Sequence, residues 1–157
     1  MNAPDHELTV AESLARCSFC PQLQGRTKLE VIGELIDALV GDGLLSDRDE
    51  AIAAVLSREE QMSTGMQFGI ALPHGKPACV PALVSAIGVA REGIDFEALD
   101  GEPSRIFVMT LSPPTTVGPH LRFLAAIGKL LGRPAVRHAV IEAADKHALL
   151  AALKDGG

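Results

Sequence analysis

At 157 residues, 47% of them hydrophobic and 22% charged, the chain is sized for one domain with a core of its own. A net charge of −6 excludes nucleic-acid binding as its main business, which demands a basic face, and the absence of Trp and Tyr removes stacking platforms for single strands and broad faces for a sugar cleft. No apolar run reaches the roughly 18–20 residues of a membrane span, and the polar start Met1-Asn2-Ala3-Pro4-Asp5-His6 lacks a signal-peptide core, so no membrane insertion and a cytoplasmic location are expected.

The termini, about the first seven and last three residues, read as frayed, and one domain is expected over residues 8–154. Cys17-Ser18-Phe19-Cys20 fits a short strand; its lone Cys-x-x-Cys has no second pair, so Cys17, Cys20 and Cys79 read as small hydrophobes rather than a metal site. A helix is predicted over Thr27–Val40, opened by a Thr27/Glu30 capping box and buried through Ile32, Leu35, Ile36 and Leu39. A second opens at Ser46 with Asp47 and Asp49 in its first turn, buries Ala51, Ile52, Val55 and Leu56, and ends in Arg58-Glu59-Glu60. Strands are predicted over Gly69–Leu72, Leu83–Ala90 and Arg105–Leu111, the last apolar on both faces. A helix over Gly118–Leu131 with a stripe of Leu121, Leu124, Ala125, Gly128 and Leu131 follows, stopped by Gly132 in a left-handed cap and by Pro134. Two shorter helices fit Pro134–Ala144 and Lys146–Leu153. The interleaving predicts an α/β fold with a mixed β-sheet sandwiched between helical layers.

The most informative stretch runs Ser63-Thr64-Gly65-Met66-Gln67-Phe68-Gly69-Ile70-Ala71-Leu72-Pro73-His74-Gly75-Lys76. Pro73 fixes its own backbone angle and biases Leu72 to extended geometry, so His74 is delivered in a defined direction at a strand end. Gly75 leaves room for close approach to the ring. A rigidly presented imidazole among backbone N–H groups suits a nucleophile that carries a bulky anion; the plainer alternative is a histidine that caps a strand end.

This segment resembles the phosphorylated-histidine segment of phosphotransferase-system enzyme IIA domains of the fructose/mannitol and nitrogen-regulatory type, where Ser-Thr-Gly leads through Gly-Ile-Ala into Pro-His-Gly. Two further collinear blocks carry the likeness: Gly93-Ile94-Asp95-Phe96 with Ala98-Leu99-Asp100-Gly101-Glu102-Pro103, and His120-Leu121 opening a helix after Ser112-Pro113. It extends from about Leu14 to Leu153. Met66-Gln67-Phe68 departs from the glycine-rich turn of many members and leaves that loop's shape open.

The resemblance implies that His74 is the phosphoryl acceptor and His120 its stabiliser, the latter placed where a helix start favours anions. Arg58 looks like the family's phosphoryl-proximal arginine, whose planar guanidinium binds two oxygens; a solvated helix-terminal cation is the alternative. Thr64 either donates to phosphate or ring or merely closes the turn. Lys76 contributes field rather than contact; His6, His138 and His147, and the acidic Glu59 and Glu60, receive no catalytic role. No metal and no organic cofactor is required.

The implied function is a phosphoryl carrier that takes its group from the phosphorylated histidine-containing phosphocarrier protein. The group then passes to a cysteine- or histidine-bearing partner such as a permease IIB domain, or the phosphorylation state signals to a regulatory target. The chain shows no permease portion, and its Thr27–Leu39 helix looks like the nitrogen-regulatory branch, which is therefore expected. A sugar-specific fructose or mannitol component is the alternative, and a regulatory module without phosphorylation a third. A metal-dependent hydrolase using His74, His120 and a carboxylate fails for want of a His-x-Glu or His-Glu-x-x-His spacing.

Overall fold

The computed structural model describes residues 14–155, so His6 and the expected domain start at residue 8 lie outside the described residues. After a 3-10 turn at Leu14–Arg16 the chain forms β1 (Cys17–Cys20), α1 (Lys28–Gly41), α2 (Arg48–Gln61), β2 (Ile70–Ala71), β3 (His74–Gly75), β4 (Val84–Ile94), β5 (Ser104–Leu111), α3 (Gly118–Leu131), α4 (Pro134–Glu142) and α5 (Lys146–Asp155). The architecture is the expected α/β arrangement, a mixed sheet between helices.

Local chemistry sets the helix starts. The Thr27 side chain accepts the Glu30 N–H at 3.2 Å and opens α1; a cap of this type stabilises a helix by about 1 kcal/mol. Asp47 rather than Ser46 caps α2: its extended backbone directly precedes Arg48, and its carboxylate accepts the Glu50 N–H at 3.0 Å. α1 buries the expected Ile32, Leu35, Ile36 and Leu39. In α3 the buried stripe is His120, Phe123, Ile127 and Leu131, while Leu121 and Ala125 face outward. The predicted stripe counted only apolar residues and so passed over the histidine. Gly132 follows α3 with φ −65, right-handed rather than left-handed.

The sheet runs β1-β4-β5-β2, with β3 also on β5. β1 is parallel to β4, β4 antiparallel to β5, and β2 and β3 both parallel to β5. Residues 70–75 therefore track β5 as one interrupted strand. Ile70 pairs with Ile106 and Ala71 with Phe107 before Pro73; His74 pairs with Thr110 and Gly75 with Leu111 after it. The histidine does not end a strand, as expected, but starts the second half of one.

Alternation divides the side chains between two cores. Ala86, Phe107, Met109 and Leu111 pack with Val31, Ile32, Leu35, Ile36 and Leu39 of α1 and Ala51 and Val55 of α2. Ile87, Val89, Ile106 and Val108 pack with Phe123, Ile127 and Leu131 of α3, and with residues of α4 and α5. Gly75 faces the first core so closely that a Cβ there would lie 3.0 Å from the Ala54 carbonyl carbon. α2 is thereby seated directly against the strand that carries His74.

Candidate active site

His74 emerges from β3 half-buried, on the face shared by Thr110 across the ladder and by Ser85 beyond it. Its Nδ1 lies 2.8 Å from the Leu72 carbonyl oxygen. A carbonyl only accepts, so Nδ1 carries the proton and donates it. Burial pushes the His74 pKa below its usual value, with Arg58 and Lys76 adding to the fall against the opposing effects of the Leu72 bond and Glu59. The neutral ring in this tautomer leaves the lone pair on Nε2.

A connected set of groups braces that ring from behind. The buried Glu59 carboxylate accepts the Thr64 N–H at 2.9 Å and the Thr64 hydroxyl at 2.5 Å, and forms an ion pair with Lys28 of α1 at 2.8 Å. Burial raises the Glu59 pKa, but the Lys28 and Thr64 hydrogen bonds outweigh it, leaving the group a firm carboxylate. The Thr64 carbonyl then accepts the Leu72 N–H at 3.0 Å, and the Leu72 carbonyl holds His74. Thr64 thus spends its hydroxyl proton on Glu59, not on the ring. Glu59, given no role from sequence, anchors the turn.

The second sequence block closes over the same turn. Ser63 Oγ donates to the Phe96 carbonyl at 2.5 Å, and the Leu99 N–H donates to the Gly65 carbonyl at 3.2 Å. Gly65 sits so close that a Cβ would come within 2.8 Å of Ala98 Cα. Only glycine permits this approach. Phe68, in the segment that departs from the family pattern, adopts φ 64, a left-handed conformation costly for an aromatic residue. Its N–H donates to Asp100 at 3.1 Å, and the Arg137 guanidinium stacks 4.8 Å from the ring centre.

His120 approaches from the first turn of α3. Its ring centre is 5.3 Å from that of His74, with the planes at 61°. It is 2% exposed; Nδ1 lies 2.6 Å from Ser112 Oγ, and Nε2 has no partner among the described residues. Burial, reinforced by His74 and Lys76, brings its pKa down to about 4, so the ring is neutral at pH 7.

Arg58, in the last turn of α2, is half-buried and donates from Nη1 to the Met62 carbonyl at 2.9 Å. Its charge reaches His74, as does that of half-buried Lys76. The structure therefore gathers His74, His120, Arg58 and Lys76 into one region, with Thr64 directly behind it. His138 and His147 are exposed on α4 and α5, away from any such setting. Cys17 and Cys20 enter opposite cores, so they do not converge, and burial lifts the Cys20 thiol to about 11. Among the described residues no group of three or more His, Cys, Asp or Glu side chains is placed to hold a metal ion. No helix among them is long and apolar enough to cross a membrane.

The sequence reading missed Ser112, Thr110 and Ser85. The signal lay along β5: on the face of Ser104, Ile106, Val108 and Thr110, continued by Ser112 just beyond the strand, buried polar residues flank the two apolar ones.

Comparison with known proteins places this arrangement. The model of the family described as phosphoenolpyruvate-dependent sugar phosphotransferase system, EIIA 2, matches residues 15–156. The fructose-specific EIIA component of Haloferax volcanii is 38% identical over 120 residues, covering 76% of this chain and 78% of that protein. The fructose-specific EIIABC component of Bacillus subtilis is 33% identical over 143 residues, covering 91% of this chain; the chain spans only 22% of that longer protein. Among solved structures, the nitrogen regulatory protein IIA-Ntr of Neisseria meningitidis superposes with a TM-score of 0.78 at 22% identity, covering 94% of this chain and 96% of that one. The mannitol enzyme IIA of Escherichia coli, solved in complex with phosphorylated enzyme IIB, superposes at 0.74 with 19% identity, covering 88% of this chain and 94% of that one. Family match and fold agree: the chain belongs to the EIIA type 2 family of the phosphotransferase system, whose domains carry phosphoryl groups.

Proposed function

We propose that His74 Nε2 accepts a phosphoryl group from the phosphorylated histidine-containing phosphocarrier protein. The observation that carries this reading is the 2.8 Å bond from Nδ1 to the Leu72 carbonyl, which aims the lone pair from the opposite nitrogen. In the transfer, Nε2 attacks phosphorus, the new N–P bond forms as the donor's P–N bond breaks, and the electron pair returns to the donor imidazole. The reaction has little covalent work for the protein beyond positioning and charge stabilisation. Arg58 and Lys76 supply positive field, and His120 supplies a donor at the reacting side. No metal or organic cofactor takes part.

The test is incubation with phosphoenolpyruvate, enzyme I and the histidine phosphocarrier protein. One acid-labile, alkali-stable phosphoryl group per chain is expected, with none on His74→Ala although that variant keeps its fold. Equal labelling of His74→Ala overturns the assignment.

The recipient defines the branch. A regulatory target follows from the nitrogen-regulatory likeness. The 38% and 33% identities to fructose-specific components support a second reading, in which the group passes to a IIB domain of the kind found in complex with the mannitol enzyme IIA. Transfer of label from His74 to a fructose-type IIB domain supports the sugar relay. A target that binds His74→Ala but loses affinity for His74→Glu supports the regulatory branch.

A further inference from the structure

We propose that Ser112 is a positioning residue that sets the tautomer of His120, donating its hydroxyl proton to Nδ1 so that Nε2 carries the hydrogen offered to the phosphoryl group. This rests on the reading that His74 bears that group.

The Ser112 Oγ to His120 Nδ1 contact is 2.6 Å, with the serine 0% and the histidine 2% exposed, so bulk water does not compete for either atom. One proton lies between them and two assignments are open. If Nδ1 held it, the ring would donate to Oγ, and the serine's own proton would need another acceptor; the structure records no second hydrogen bond for this hydroxyl among the described residues. His120 would then present a lone pair on Nε2, beside a His74 ring whose Nε2 also holds one. An incoming phosphoryl oxygen would meet an acceptor where it needs a donor. With the proton on Oγ instead, one hydrogen bond uses the serine donor, and Nε2–H is left as a buried donor without a partner. That state matches a site kept ready for an anion. A doubly protonated ring, which would make the serine unnecessary, is disfavoured by the burial described above.

The two histidines are thus held by partners of opposite character. An acceptor-only carbonyl fixes Nδ1–H in His74 and frees a nucleophilic Nε2; a hydroxyl fixes an unprotonated Nδ1 in His120 and frees an Nε2–H. Ser112 is suited to the task by its backbone as well. Its N–H donates at 3.3 Å to the carbonyl of Gly75, the residue after His74. The side chain that orients one ring is therefore tied by its own main chain to the strand carrying the other.

Long-range proton–nitrogen correlation spectra of the unphosphorylated protein read the tautomer directly. Wild type is expected to show His120 protonated on Nε2, Ser112→Ala a mixture or the opposite form, and Ser112→Thr, which keeps the hydroxyl, the wild-type form. Phosphoryl acceptance by Ser112→Ala is expected to fall at least about tenfold and at most the roughly 10³-fold that one wholly lost donor is worth, with Ser112→Thr recovering most of it. A wild-type spectrum with the proton on Nδ1, or an unchanged tautomer in Ser112→Ala, overturns the proposal. Should Ser112→Ala not fold, the wild-type spectrum still decides it. A correct tautomer with no label on His74 would instead remove the phosphoacceptor reading and leave the tautomer assignment standing.

Discussion

On the face of β5 covered by α1 and α2, apolar side chains run from Phe107 through Met109 to Leu111, all 0% exposed. On the face covered by α3, α4 and α5, Ile106 and Val108 give way to Thr110 and Ser112, equally buried, with Ser85 beside them on β4. The hydroxyls of Thr110 and Ser85, and that of buried Ser104 at the far end of β5, have no hydrogen-bond partner among the described residues. Buried polar groups of that kind cost free energy that a methyl group would not. One face is thus built for cohesion along its whole length, whereas the other is polar at both ends, at Ser104 and again where the two histidines meet.

The largest effect expected from this contrast is in the cohesive face. Phe107→Ala, which empties the core between the sheet and α1 and α2 and removes an edge-to-face contact with Phe96 at 5.4 Å, is expected to cost about 3–5 kcal/mol. Urea denaturation checks it. A cost below about 1 kcal/mol would mean that this face does not hold the fold.

An intermediate effect comes from pH. His120 titrates at an ordinary 6.5 when unfolded and at about 4 when folded, so between those values the unfolded chain binds the extra proton. Stability from the neutral ring is present above 6.5, falls as pH drops below it, and is fully lost below about 4. From pH 7 to pH 5 this amounts to about 2 kcal/mol, an order-of-magnitude figure. His120→Gln is expected to lose that increment of the pH dependence in the same urea measurement. An identical pH slope for wild type and variant would place the titration elsewhere.

The smallest effect is the most discriminating. Thr110→Val keeps the shape and removes the hydroxyl, so stability is expected to change by less than about 1 kcal/mol, in the favourable direction. Phosphoryl acceptance is expected to fall. Clear destabilisation of Thr110→Val would show that its hydroxyl is satisfied in solution and would erase the contrast between the faces.

Much of this organisation was legible in the sequence because it is local. The Thr27 cap, the α1 stripe and the continuous apolar run of β5 each depend on residues within a few positions of one another. The directed placement of the His74 ring was legible because Pro73 and Gly75 flank it in the chain. The remainder is non-local. Two residues of β3 have no period to detect, and their pairing depends on β5. Glu59 looks like a helix-end charge until α1 brings Lys28 to it. The α3 stripe was misplaced because Leu121 is 60% exposed while a histidine takes an inward position. Tertiary context overrode hydrophobicity there in both directions.

The interrupted strand bears finally on how the site responds to motion. Thr110 N–H donates to the Pro73 carbonyl at 3.0 Å and Ser112 N–H to that of Gly75 at 3.3 Å, bracketing His74. Ser112 also grips His120, so both rings are referenced to β5 as instruments are bolted to one bench. His120 rides on α3 and His74 on β3, so the Ser112 contact is what couples that helix to the strand beside His74. A push on α3 therefore reaches the pair of rings through a single buried hydroxyl.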